Sequence, residues 1–172
     1  MKFGLSLAAL ALLLDQLSKW AVVEHLFKPV LGVPSLSLVE WYQSNVRMPF
    51  VQIEMLPFFN FSMVWNEGMG FGMLGAAGPW VLIGLSLVIV AVLGVWMHRQ
   101  PTDRYLHVAL GLMIGGAIGN VIDRARFHAV VDFLDFHIGR WHYPTFNVAD
   151  SFIVIGVALL LLQPFFGGKV RA

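Results

Sequence analysis

Residues 79–97 read PWVLIGLSLVIVAVLGVWM, a stretch without a single charge. A helix rises 1.5 Å per residue, so about 20 apolar residues cross the hydrocarbon core of a bilayer. This stretch has that length and purity. It therefore decides the class of the molecule: a chain that can bury such a segment in lipid is an integral membrane protein. Working outward, residues 105–122 (YLHVALGLMIGGAIGNVI) carry only His107 and Asn120 as strongly polar groups. Residues 148–166 are apolar apart from Asp150, Ser151 and Gln163. Residues 4–23 form a further apolar run, with Asp15, Gln16 and Lys19 in its second half. Because that run continues past any small-residue cleavage site, it reads as a retained span rather than a removed signal.

Composition agrees. Of 172 residues, 58% are hydrophobic and 12% charged, against roughly 25% charged in soluble domains. That leaves too few charges to cover a water-facing surface, and it excludes a disordered chain or a basic nucleic-acid binder. The absence of Cys excludes a disulfide framework, a thiolate metal site, a thiol nucleophile and a lipid-anchored Cys on the chain itself.

Four spans place both termini on one side, with Lys2, Arg99, Arg104, Lys169 and Arg171 in short tails and one short loop. Positive residues in short segments favour the cytoplasmic side. Nine of the ten acids then lie on or towards the opposite face, with Asp103 the exception. The long segment 24–77 alternates in places. Phe59, Phe61, Met63 and Trp65 fall on one face, and Asn60, Ser62, Val64 and Asn66 on the other. Residues 51–54 also alternate, and 36–42 read as a strand. The expectation is a small sheet on the outer leaflet, built from about residues 30–70.

Ionisable groups within spans are costly and point to function. Asp15 and Lys19 stand four apart, the spacing of a helical ion pair, and a structural role is the favoured reading. Small residues 115–119 suit close helix packing. Asn120, Asp123 and Arg124 share one face. Asp132 and Asp150 sit among apolar residues near the outer boundary, and Asn147 is placed to cap the last helix. Two poorly solvated carboxylates can share one proton and act together as base and acid on a held water. Residue type alone does not choose the pair, since Asp123 and Asp135 are also candidates. No metal-ligand spacing, Gly-x-Ser-x-Gly turn or phosphate loop is present.

Five blocks together resemble the lipoprotein signal peptidases (signal peptidase II). They are Asp15-Gln16-Leu17-Ser18-Lys19; Asn66-Glu67-Gly68 with Phe71; Gly115-Gly116-Ala117-Ile118-Gly119-Asn120-Val121-Ile122-Asp123-Arg124; Val130-Val131-Asp132-Phe133; and Phe146-Asn147-Val148-Ala149-Asp150. The resemblance implies an all-α membrane protein of four transmembrane helices with a small extracytoplasmic β-sheet, a single domain over 1–172. It implies an aspartic endopeptidase of the bacterial inner membrane that cuts diacylglyceryl-modified prolipoproteins before the lipidated Cys. Its catalytic aspartates fall on Asp132 and Asp150, and its supporting residues on Asn66, Asn120, Arg124 and Asn147. Asp15, Lys19 and Asp123 are expected to be structural. No cofactor, metal or nucleic-acid partner is expected; membrane lipids are, and the enzyme is expected to be a monomer with cytoplasmic termini and its active site near the outer face. Two departures stand out. The interval from Lys19 to Asn66 is long, with extra residues around 34–50, and Met69-Gly70 replaces smaller residues after the Asn-x-Gly.

Overall fold

The computed structural model describes residues 1–68 and 78–166. Phe71, Met69 and Gly70 lie outside the described residues. Helix α1 (Lys2–Val22) passes without a break through a π-helical turn (Val23–Phe27) into the short α2 (Lys28–Val30). The helical run is thus longer than the expected span of 4–23. A buried Lys28–Glu24 ion pair of 2.7 Å extends it, and the π turn leaves the Glu24 carbonyl free to accept the Ser35 hydroxyl. Helices α4 (Gly78–Arg99) and α5 (Arg104–Phe127), like the α1–α2 run, are long and apolar enough to cross a membrane, and α6 (Val148–Phe166) holds a shorter apolar stretch. Helix α4 leaves Val81, Leu85, Val88, Val92 and Val95 exposed, the surface expected of a helix facing lipid.

Helix α5 is central and packs against α1, α4 and α6. Its glycines make this possible. A Cβ on Gly111 would lie 2.6 Å from the Gly4 carbonyl of α1, and one on Gly116 would lie 2.5 Å from the Ala149 carbonyl of α6. One on Gly119 would strike the Asp15 carboxylate. The small-residue run therefore does what close packing requires, and it also makes room for a buried acid.

The sheet has four antiparallel strands in the order β1-β2-β3-β4: Gln52–Leu56, Phe59–Asn66, Val130–Ile138 and Trp141–His142. This corrects the sequence reading in two ways. Half of the sheet comes from the chain after α5, not from the region before it. Residues 36–42 are not a strand: Leu38–Gln43 is helix α3, started by a capping box in which the Ser37 side chain meets the Glu40 amide and the Glu40 side chain meets the Ser37 amide. That reciprocal pairing satisfies two otherwise unpartnered donors and outweighs the β preference of Val39, Trp41 and Tyr42. The alternation along β2 is also interrupted. Phe61 pairs with Leu134 but Val64 pairs with Asp132, so an extra residue bulges out of β2. Beneath the sheet, Val23, Phe27, Trp41, Met48, Val51, Met63, Phe127, Val131 and Phe133 form one apolar core.

Candidate active site

Asp132 stands on β3 and Asp150 in the first turn of α6. Strand β3 begins shortly after α5 ends, and the segment that follows β4 runs back along β3. Leu134 bridges Phe146 there, with backbone bonds of 2.8 and 3.1 Å. This return delivers Asn147 between the two acids. The Asn147 Nδ2 donates to Asp132 Oδ1 at 2.7 Å and to Asn120 Oδ1 at 3.1 Å. The Asn120 Nδ2 donates to Asp150 Oδ1 at 2.8 Å. The Asn147 Oδ1 accepts the Asp150 amide at 2.9 Å, and the Asp150 Oδ2 accepts the Asn147 amide at 3.2 Å. The expected cap is therefore present, and the same side chain joins the Asp132 carboxylate, by way of Asn120, to that of Asp150. Asn66, at the end of β2, donates from Nδ2 to Asp132 Oδ2 at 2.9 Å.

Asp132 is almost fully buried. Burial, reinforced by the neighbouring Asp150 charge, pushes its carboxyl up to about 7, against the pull of the Asn66 and Asn147 amides and Lys19. It is a carboxyl that can hold a proton at neutral pH, as acid–base chemistry requires. Asp135, also open as a candidate, is placed differently. It accepts from His142 Nδ1 and the Ser62 hydroxyl, each at 2.7 Å, and from Asn60 at 3.4 Å. Burial pushes it up, but these donors outweigh burial and hold it below the usual carboxylate range. Asp135 thus stays ionised as a fastening within the sheet.

The residues expected to be structural lie directly behind the site. Lys19 is fully buried and meets Asp15 at 2.8 Å and Asp123 at 2.7 Å. It also donates to Asn120 Oδ1 at 3.3 Å. Asp15 accepts the Ala149 amide at 3.0 Å, one residue before Asp150. Asp123 accepts the Val131 amide at 3.2 Å, one residue before Asp132. Each brace therefore holds the backbone beside one of the paired acids. Gln16, a site residue that its sequence position does not reveal, donates to Asp15 at 3.0 Å and Asp123 at 3.1 Å. Its place between Asp15, its neighbour on α1, and Asp123 on α5 is not visible from one helix alone. Arg124 is not drawn into this network: its guanidinium lies near Asp150, Asp132 and Asp123, and its buried Nε has no hydrogen-bond partner among the described residues. No cluster of three or more His, Asp or Glu able to hold a metal occurs among the described residues.

The family model described as signal peptidase (SPase) II matches residues 7–166. The lipoprotein signal peptidase of Polynucleobacter necessarius subsp. necessarius is 37% identical over 98% of this chain and 94% of the relative. That of Alteromonas mediterranea is 39% identical over 96% and 82%. A solved bacterial membrane enzyme, obtained by the in meso method at 1.9 Å resolution, matches with a TM-score of 0.71 at 25% identity, covering 95% of this chain and 93% of that one. A match of this extent, on a multi-pass helical scaffold carrying two aspartates tied together by amides, means that the chain belongs to the signal peptidase II family, the aspartic membrane peptidases that cleave prolipoprotein signal peptides.

Proposed function

We propose that Asp132 and Asp150 are the catalytic pair, acting on a peptide bond of a diacylglyceryl-modified prolipoprotein just before its lipidated Cys. The observation that carries the reading is the joining of these two carboxylates through Asn147 and Asn120. One proton is shared by the pair and rests mainly on Asp132, whose carboxyl is pushed up to about 7. Asp150 takes a proton from the attacking water while Asp132 polarises the scissile carbonyl. The water oxygen adds to the carbonyl carbon. The tetrahedral adduct then collapses, the C–N bond breaks, and the leaving amine takes up a proton from the pair. Asn66, Asn120 and Asn147 orient the acids, and Arg124, whose buried Nε has no hydrogen-bond partner among the described residues, binds the substrate backbone.

The whole chain works as one unit with four spans, α1, α4, α5 and α6. Its termini are cytoplasmic, and its sheet and site lie at the outer boundary of the bacterial inner membrane. The lipid chains of the substrate stay in the bilayer, and the enzyme acts as a monomer. Replacement of Asp132 or Asp150 by Asn is expected to abolish cleavage of a lipidated precursor while the protein still inserts. Wild-type turnover by either variant would sink the assignment.

A further inference from the structure

Asn66 is the ligand of Asp132 that comes from furthest away in the chain, and it stands at the open end of β2. Its own side chain is set by a turn: Asn66 Oδ1 accepts the Gly68 amide at 2.9 Å, with Gly68 at φ +86. That leaves Nδ2 directed at Asp132. The strand end is paired with β3, Asn66 opposite Val130, and the extra segment holds it from the other side. Residues on both sides of Asn66 are held by it. The Trp65 Nε1 donates to the Met48 carbonyl at 2.8 Å, and Arg47 Nη1 meets Glu67 Oε1 at 2.5 Å. The same guanidinium donates from Nε and Nη2 to the Phe127 carbonyl at the end of α5, at 2.9 and 2.6 Å, and lies over the Trp65 ring at 5.6 Å. Further along, the Val51 carbonyl accepts the Met63 amide at 2.7 Å, where β2 bulges. Met48 and Val51 are buried in the core under the sheet.

We propose that segment 44–50 is a splint for Asn66, with Arg47 as its positioning residue. The Arg47–Glu67 pair alone is exposed and contributes little. The forked bond to the Phe127 carbonyl is what makes Arg47 effective, because it ties the end of β2 to the end of α5. Those are the two elements whose side chains, Asn66 on one and Asn120 on the other, reach the two acids. The proposal rests on Asp132 being catalytic.

The test is a double-mutant cycle on the full-length enzyme in detergent with a lipidated precursor. Arg47→Ala is expected to lower kcat about tenfold, the equivalent of one misplaced hydrogen bond to a charged group, while KM moves less than about threefold. Loss of the Asn66 donor lets Asp132 hold its proton more tightly, so the alkaline limb of the pH profile should move up by roughly half a pH unit. In an Asn66→Ala background, Arg47→Ala should have no further effect on either quantity. An unchanged limb and kcat in Arg47→Ala, or an equal loss in both backgrounds, would overturn the splint. If Arg47→Ala does not accumulate, Arg47→Met, which keeps most of the side chain's bulk but has no donor for the Phe127 carbonyl, carries the same cycle. An active Asp132→Asn enzyme would instead bring down the catalytic reading beneath it, so the two failures are distinct.

Discussion

Asp132 combines deep burial with two amide donors, and its carboxyl is nevertheless pushed up to about 7. This has a consequence for stability as well as for chemistry. Between pH 4 and 7 the unfolded chain has released this proton and the folded chain has kept it. The folded state binds more protons there, so its stability falls as pH rises through the window. The gap between 3.8 and about 7 corresponds to about 4 kcal/mol. Unfolding in detergent at a series of pH values should show this decline in the wild type and a flatter profile in Asp132→Asn. Superimposable profiles would contradict it. The same proton governs activity: kcat/KM, which reports the free enzyme, is expected to fall above about pH 7 as Asp132 ionises.

At the scale of elements, the site is a meeting of the end of α1, the end of α5 and the start of α6, held by one buried cation. Lys19→Met would leave Asp15 and Asp123 facing each other without a cation, bridged only by Gln16, beside the Ala149 and Val131 amides they accept. Breaking one partner of a buried ion pair costs about 3–5 kcal/mol, and a loss of that size should appear as a lowered melting temperature in detergent. Retention of wild-type stability would show the triad to be hydrated. Span length and purity made the helices legible in the sequence. Strand β3 was harder to read, because Val130–Ile138 is nearly continuous apolar sequence broken by acids, without the alternation that marked β2. Helix α3 was hidden by its β-branched and aromatic residues, although its capping box, Ser37 and Glu40, was there to be read. The aspartates came through the family's motifs; residue type left Asp123 and Asp135 level with them, since only their partners tell the four apart. Arg47 carried no signal at all. Its partners lie 80 and 20 residues away, and nothing local foretells them.

For the molecule as a whole, all groups of the site lie at one end of the helix bundle. At the other end, Gln163 donates to Asp103 and the Tyr105 hydroxyl to the Leu159 carbonyl. The proposed topology turns that polarity into a sidedness that can be measured, because the chain has no Cys of its own. A single Cys at Val46, which is 73% exposed, should react with a membrane-impermeant maleimide added outside intact cells or spheroplasts. One at Gln100, in the exposed connection between α4 and α5, should react only after permeabilisation. The reverse pattern would invert the proposed orientation.

The link between the two acids consists of Asn147 and Asn120, and an amide neither gains nor loses a proton across the range in which enzymes work. That direct link is therefore blind to pH, while the brace behind it is ionic, built on Lys19, Asp15 and Asp123. The direct link and the proton inventory are separate properties, the first set by amides and the second by burial and the neighbouring charge. Acidity can drift with the surrounding apolar residues while the spacing of the carboxylates stays put. A proton passing from one acid to the other has no side-chain relay through these amides and must travel by way of water or the substrate itself.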